Sequence, residues 1–281
     1  QFSTSDQFLR YSFPVGSILR RGAGPRGLHT LAVHTKSVSY LDGAPTRWGP
    51  VRKEPSNFGY DWSPKVDTQG IWLPVYLVGQ SKVLLVDMVA TVIGAPSNPP
   101  DRLTSQTAHF HVSIAARINL TVSGEVSYTF IGNWSGSDSK TAGKIVLPAG
   151  VSSITAVLNA SGKDIELWWP NGAGSQPLYE VKFNVVPSDL DRHPIGSDGV
   201  SATRRIGFRT VNLNARLGNT THPPVQTYRV NGVDIFAKGA DWVPPDSFEA
   251  RANDGVLCSL LQSARDSNMN FLRIWGGGIY P

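Results

Sequence analysis

Apolar and polar residues alternate along much of the middle of this chain. In RINLTVSGEVSYTFIG, Ile118, Leu120 and Val122 alternate with polar neighbours, Ser123-Gly124 interrupts, and Val126, Tyr128 and Phe130 alternate again. A period of two lays one face of a strand on a core, and the interruption predicts a hairpin with one buried face. SSITAVLNAS, PLYEVKFNVV and TRRIGFRTVNL repeat the signal between Gly, Pro or Asn breaks, and KVLLVDMVATVIG reads as one long strand broken by Asp87. Several short alternating strands between about Lys82 and Asn214 predict an antiparallel sandwich of immunoglobulin type. It is so by architecture only, since one cysteine cannot supply the Cys-Trp-Cys pattern of antibody domains. Upstream, LHTLAVHTKSV and IWLPVYLVG predict strands, the second an edge or strand end because of Pro74. GAGPRG and LDGAPTRWGP are turn-rich connectors.

After Asn214 the pattern changes. YRVNGVDIF sets Asn231-Gly232 between two alternating runs, which predicts a type I′ hairpin. IFAKGADWVPP reads as a strand and a loop. NDGVLCSLLQSARDSN places Leu257, Leu260, Leu261 and Ala264 on one helical face, with Asn253 or Asp254 as N-cap. NFLRIWGGG is a further strand. Strand, helix, strand at these lengths predicts one βα unit and the next strand of a parallel sheet. Such a unit cannot close a sheet, so the chain is expected to be an internal segment of something longer.

The 281 residues are 40% hydrophobic and 10% aromatic with eight tryptophans, enough for a real core and too apolar for disorder. The 26 basic and 21 acidic residues give a charge of +5, scattered apart from pairs such as Arg20-Arg21 and Arg204-Arg205. A nucleic-acid binder would gather them into a patch, so no nucleic-acid partner is expected. No run reaches the roughly 18 apolar residues of a membrane-spanning helix, so no membrane partner is expected either. Cys258 falls in the apolar helical pattern and reads as a buried small hydrophobe. Four N-x-[ST] sequons, at Asn119, Asn133, Asn159 and Asn219, point to glycosylation in the secretory pathway, hence to a secreted or lysosomal/vacuolar protein.

Candidate chemistry gathers in two places. If the parallel strands open a barrel, its site residues come from their carboxyl ends. Trp242 follows the first strand, and Arg273 and Trp275 end the second. Their flat apolar faces suit the C–H faces of a sugar ring; equally, both tryptophans read as core aromatics. In NFGYDWSP, Asp61 stands between Tyr60 and Trp62, either as a carboxylate for sugar hydroxyls or as an Asx-turn with surface aromatics. His109 and His111 share a strand face without a third ligand at useful spacing, so no metal is expected. Gly276 to Gly278 lack the Lys-[ST] of a phosphate loop and read as tight backbone geometry. No cofactor is implied.

Taken in order, ELWWPNGAGSQPLYEVKF, RRIGFRTV, VNGVDIFAKGADWVPPDSF and LLQSARDSNMNFLRIWGGGIY resemble successive landmarks of the β-mannosidases of glycoside hydrolase family 2. NFGYDWSPKVDTQGIWLPVYL resembles the landmark closing that family's first, jelly-roll domain. The resemblance runs from about Phe8 to Tyr280; exo-β-glucosaminidases and endo-β-mannosidases share similar phrases. It implies the later part of a jelly-roll domain over residues 1–80, an immunoglobulin-like sandwich over 81–213 and the start of a (β/α)8 barrel over 214–281. It implies a retaining exo-glycosidase acting on terminal non-reducing β-D-mannose, its partners a β-mannoside oligosaccharide and the rest of the same enzyme. Both catalytic glutamates fall on later barrel strands, so none is assigned here, Glu249 included, and the chain alone is expected to be inactive. By the same resemblance Asp61 holds sugar hydroxyls, Trp242 and Trp275 line the glycone subsite, and Arg273 orients a catalytic carboxylate. Tyr60 and Asp241 depart from the frequent Trp and Asn. The rival expectations are an exo-β-glucosaminidase or other family 2 glycosidase, and a non-catalytic glycan-binding β-sandwich.

Overall fold

A computed structural model describes residues 4, 6–20, 29–35, 52–79, 82–94, 102–104, 106–188, 199–216 and 225–280. The fold is mainly β with few helices, in two compact units: residues 1–76, 239–267 and 272–281, and residues 77–238 and 268–271. The helix α1 spans Gly16–Arg20 in the first unit.

The second unit holds strands β1 (Val83–Gly94), β2 (His109–Leu120), β3 (Gly124–Gly132), β4 (Lys140–Leu147), β5 (Gly150–Ser161), β6 (Tyr179–Pro187) and β7 (Val200–Ile206). They make two antiparallel sheets, β1-β2-β5 and β4-β3-β6-β7. Alternation decides which face is inward. On β2, Phe110, Val112, Ile114, Ala116, Ile118 and Leu120 are buried, while β6 buries Val181, Phe183 and Val185 and β3 buries Val126 and Phe130. These side chains form one cluster drawn from both sheets. Each large member contributes about 2 kcal/mol by leaving water, and a one-residue slip of β2 would turn its whole inner row outward, so the register is fixed.

The predicted hairpin of residues 117–132 does not form. β2 pairs with β1 and β5, and β3 pairs with β4 and β6, so the chain crosses from one sheet to the other at residues 121–123. Two strands facing one core from opposite sides alternate just as a hairpin does, and period alone cannot separate the two. Strands are also absent from 29–35 and 71–79, where the apolar side chains apart from the half-buried Trp72 are exposed and no described strand runs alongside. β propensity without a ladder partner leaves extended coil.

Three further strands, β8 (Val211–Arg216), β9 (Val225–Val230) and β10 (Val233–Ile235), form an antiparallel sheet in the second unit. The β9–β10 turn has Asn231 at φ 50° and Gly232 at φ 77°, the left-handed pair that a type I′ turn requires.

The strands β11 (Gly239–Trp242) and β12 (Phe271–Ile274), of the first unit except for Phe271, pair as a two-stranded sheet, with helix α2 (Asp254–Asp266) between them in sequence. The Asn270 amide donates to the Lys238 carbonyl and the Trp275 amide to that of Trp242, so both strands run the same way. Asn253 caps α2, its side chain accepting from the Val256 amide at 3.2 Å, and Asn268 at φ 59° ends the turn after it. No residue of α2 is buried, and Leu260 and Leu261 are exposed. Cys258 is therefore exposed rather than buried, because no described element covers that helix face. No helix of the described residues is long and apolar enough to cross a membrane.

Candidate functional site

The site is built from a loop and a turn of the first unit. Pro55 starts a 3-10 turn over Pro55–Phe58, and Gly59 at φ 86° redirects the chain. Tyr60 and Ser63 then exchange backbone hydrogen bonds at 3.1 Å, so Asp61 and Trp62 stand at the tip of a tight loop, both exposed. Asp61 makes no hydrogen bond or ion pair with any described residue.

Trp275 follows β12. Its ring meets Tyr60 edge-on at 4.9 Å and Trp62 edge-on at 5.2 Å, while Tyr60 and Trp62 stack at 6.0 Å with 22° between their planes. The three rings thus gather beside Asp61. The backbone of Trp275 is fixed as well: its amide donates to the Trp242 carbonyl at 3.0 Å, and the Tyr280 hydroxyl lies 2.9 Å from the Trp242 carbonyl and 2.8 Å from that of Trp275. Burial, then the negative charges of Glu54 and Asp241, hold the Tyr280 phenol above its ordinary value. Close approach explains the second and third of the three glycines, whereas a Cβ on Gly276 would meet nothing within 4 Å. A Cβ on Gly277 would lie 2.1 Å from the Trp275 ring, and one on Gly278 2.2 Å from Pro244.

Of the residues singled out in sequence, Trp275 meets the two rings that flank Asp61 in the chain. Trp242 contributes its backbone carbonyl, and its half-buried ring is not among the stacked three. Arg273 donates to Asp241 at 3.1 Å, with both side chains more than half exposed. Such a pair is worth under about 1 kcal/mol and leaves the guanidinium available to another carboxylate.

Beneath the loop lies a polar cluster that the sequence did not disclose. Glu54 is 2% exposed and Asn57 3%. Glu54 accepts from the Asn57 side-chain amide and from the Ile279 backbone amide, each at 2.6 Å. Its carboxyl is hydrogen-bonded to that of Glu249, which also accepts from Gln7 at 2.8 Å. Loss of hydration and the bond to Glu249 push the Glu54 carboxyl up to about 7, against the pull of the Ile279 amide. For Glu249 burial acts the other way from its bonds, and donations from its own backbone, Glu54 and Gln7 with Lys53 nearby hold it below the ordinary carboxyl range. Lys53 is lowered by burial against the attraction of Glu249, Glu54 and Asp67. Only the acidic residue before Pro-Ser-Asn marks Glu54 in sequence; its partners come from distant parts of the chain.

Elsewhere, a groove of about 390 Å³ in the second unit is lined by Val92, Trp168, Leu178, Gly207, Arg209 and Val211, with the Arg209 guanidinium 4.1 Å over Trp168. Its lining holds no carboxylate. No group of three or more His, Cys, Asp or Glu suited to a metal occurs among the described residues. His111 instead contacts the Asn159 side chain at 2.6 Å. Of the sequons, Asn133 and Asn159 are exposed, Asn119 is half-buried on β2, and Asn219 lies outside the described residues.

No protein-family model matches the chain. "Beta-mannosidase A" of Aspergillus flavus is 30% identical over 310 residues, covering 99% of this chain and 33% of that protein. The Aspergillus niger protein of the same name is 30% identical, covering 99% and 32%. The crystal structure of a β-D-mannosidase from Dictyoglomus thermophilum superposes with a TM-score of 0.64 at 29% identity, covering 82% of this chain and 26% of that one. An exo-chitosanase from Amycolatopsis orientalis, at 22% identity and TM-score 0.51 over 72% of this chain and 21% of its own, shares the fold. The chain spans about a third of the length of the curated relatives it matches.

Proposed function

We propose that the protein is one of the β-mannosidases of glycoside hydrolase family 2, a retaining exo-glycosidase hydrolysing terminal, non-reducing β-D-mannose; the similarity to β-mannosidases over 99% of the chain supports this reading. We divide it into the later part of a jelly-roll domain (1–80), an immunoglobulin-like sandwich (81–213) and the opening of a (β/α)8 barrel (214–281). Two facing antiparallel sheets support the second assignment, and the parallel β11–β12 pair with α2 between them supports the third.

Retention needs two carboxyl groups about 5–5.5 Å apart, one nucleophile and one acid/base. In this reading they stand on later barrel strands. The Glu54–Glu249 pair is not that pair, because Glu54 is sealed from solvent with both oxygens engaged. The described residues supply recognition instead. The observation that carries this reading is the setting of Asp61, exposed between Tyr60 and Trp62 and without a hydrogen-bond partner among the described residues, with both rings against Trp275. The ring faces suit the C–H face of a pyranose, and an ionised carboxylate accepts hydrogen bonds from neighbouring hydroxyls. We assign Trp242 to the same glycone subsite by the family resemblance, and Arg273 to the orientation of a catalytic carboxylate by charge-assisted hydrogen bonds.

The test is turnover of an aryl β-mannoside by the protein at its full length, beside the matching β-glucosaminide. Preference for the mannoside is expected, and Asp61→Asn should lower kcat/KM by about 10- to 100-fold, as loss of a charged hydrogen bond implies. Faster turnover of the glucosaminide would move the assignment to exo-β-glucosaminidase. Mannoside binding without turnover would make the protein a glycan binder. The exposed Asn133 and Asn159 support a secreted or lysosomal/vacuolar glycoprotein. A loss of mass on enzymatic deglycosylation of the peptides holding them is expected, and unmodified asparagines would overturn that.

A further inference from the structure

We propose that Tyr280 is a positioning residue for the aromatic site: its hydroxyl ties the carboxyl ends of β11 and β12 together and so sets the place of the Trp275 ring against Tyr60 and Trp62. The inference rests on the sugar-binding reading of that site for its ligand alone; the tie itself rests on geometry.

The chain turns back after Trp275, and Tyr280 returns to the strand ends it has left. Its hydroxyl lies 2.8 Å from the Trp275 carbonyl and 2.9 Å from that of Trp242. A phenol has a single proton to give, and either carbonyl can take it, so the hydroxyl bridges the last residue of β11 and the residue after β12. The Trp275 amide donates to the same Trp242 carbonyl at 3.0 Å, and a carbonyl oxygen has lone pairs for both donors. Burial, above all, holds the phenol above its ordinary value, so in neutral solution it keeps the proton that the tie requires.

The far side of the turn is anchored separately. The Ser56 amide donates to the Gly277 carbonyl at 2.8 Å, and the buried Ile279 donates its amide to Glu54 at 2.6 Å. Between the two anchors the backbone runs close against the Trp275 ring, since a Cβ on Gly277 would stand 2.1 Å from it. Gly278 is equally confined, its Cβ position lying 2.2 Å from Pro244 and 3.2 Å from the Tyr280 hydroxyl. A ring resting on that turn moves with it. The 54–56 anchor joins the turn to the loop that carries Tyr60 and Trp62, and Tyr280 joins it to the strand ends. Trp275 meets those two rings at 4.9 and 5.2 Å with both anchors in place. Tyr280 therefore acts through Trp275, its own hydroxyl being spent on backbone.

The experiment uses the full-length protein labelled with 5-fluorotryptophan, the Trp275 resonance being identified by its loss in W275F. Y280F removes the hydroxyl and keeps the ring. In it the Trp275 line should shift or split in fluorine NMR, and KM for an aryl β-mannoside should rise about fivefold, as loss of a neutral hydrogen bond implies. The ring faces substrate and transition state alike, so kcat should stay within about twofold. A tyrosine of merely structural use would lower the folded fraction, and with it kcat, leaving KM and the Trp275 line in place; that result overturns the inference, as does a shifted line with KM unchanged. Should Y280F not fold, the unmodified protein still decides: a single Trp275 line supports the tie, and a line divided among several ring positions overturns it. A line that moves in Y280F, in a protein whose unmodified form neither binds nor hydrolyses the mannoside, supports the tie and refutes the sugar.

Discussion

Asn231 shows how one side chain can hold several segments. It is fully buried in a left-handed conformation at φ 50°. Its backbone amide donates to the Thr210 carbonyl and its carbonyl accepts from Leu103. Its side chain accepts from the Thr210 amide at 3.0 Å and donates to the Trp168 carbonyl at 2.9 Å. N231A forfeits both side-chain bonds and adds left-handed strain, together about 3 kcal/mol. N231G forfeits only the bonds, so urea unfolding should rank N231G as the milder by about 1 kcal/mol. Equal losses would mean that the turn carries no strain. The Asn-Gly pair announced the backbone conformation, but nothing in the sequence named Thr210 or Trp168 as partners. The same divide runs through the candidate site. Asp61 among aromatics is visible in NFGYDWSP, whereas Glu54 gains its character from Glu249 and Ile279, contacts that exist only after folding.

At the level of elements, local signals held where the cause is local. The β9–β10 turn follows from Asn-Gly, and α2 begins at its Asn253 cap and ends before the left-handed Asn268. Alternation located β2, β3, β5 and β6 because each rests one face on the apolar core. It failed on connectivity, since β2 and β3 lie in different sheets. It also failed at 71–79, where strand-forming residues find no described strand to pair with. Pairing is a property of two segments and cannot be read from one.

For the molecule as a whole, titration and packing are divided between the units. Among the described residues, the second unit's buried polar group is the neutral Asn231, whereas the first unit buries Glu54. Glu54 is raised on folding, so its stabilisation is complete below its ordinary value of 4.5 and is lost as the pH rises through about 7. Glu249 is lowered, so its stabilisation is present above 4.5 and is lost as the pH falls through its depressed value. The first unit is therefore expected to be most stable in mildly acidic solution, weakening by on the order of 3 kcal/mol toward about pH 7. Hydrogen exchange corrected for intrinsic rate should show protection at residues 52–58 and 275–280 falling over that interval, while β2 and β6 stay constant. Equal changes in both units would contradict this.

By itself the sequence determined the mainly β class, the strand-helix-strand order near its end, the resemblance to β-mannosidases, and the aromatic setting of Asp61, because periodicity, caps and contiguous motifs are local. Only the tertiary structure decided which strands share a sheet, that Trp275 closes on Tyr60 and Trp62, and that Glu54 is buried with Asn57 and Ile279 as its donors. Those outcomes require groups far apart in the chain to meet out of water, where a missing partner or an extra charge costs most.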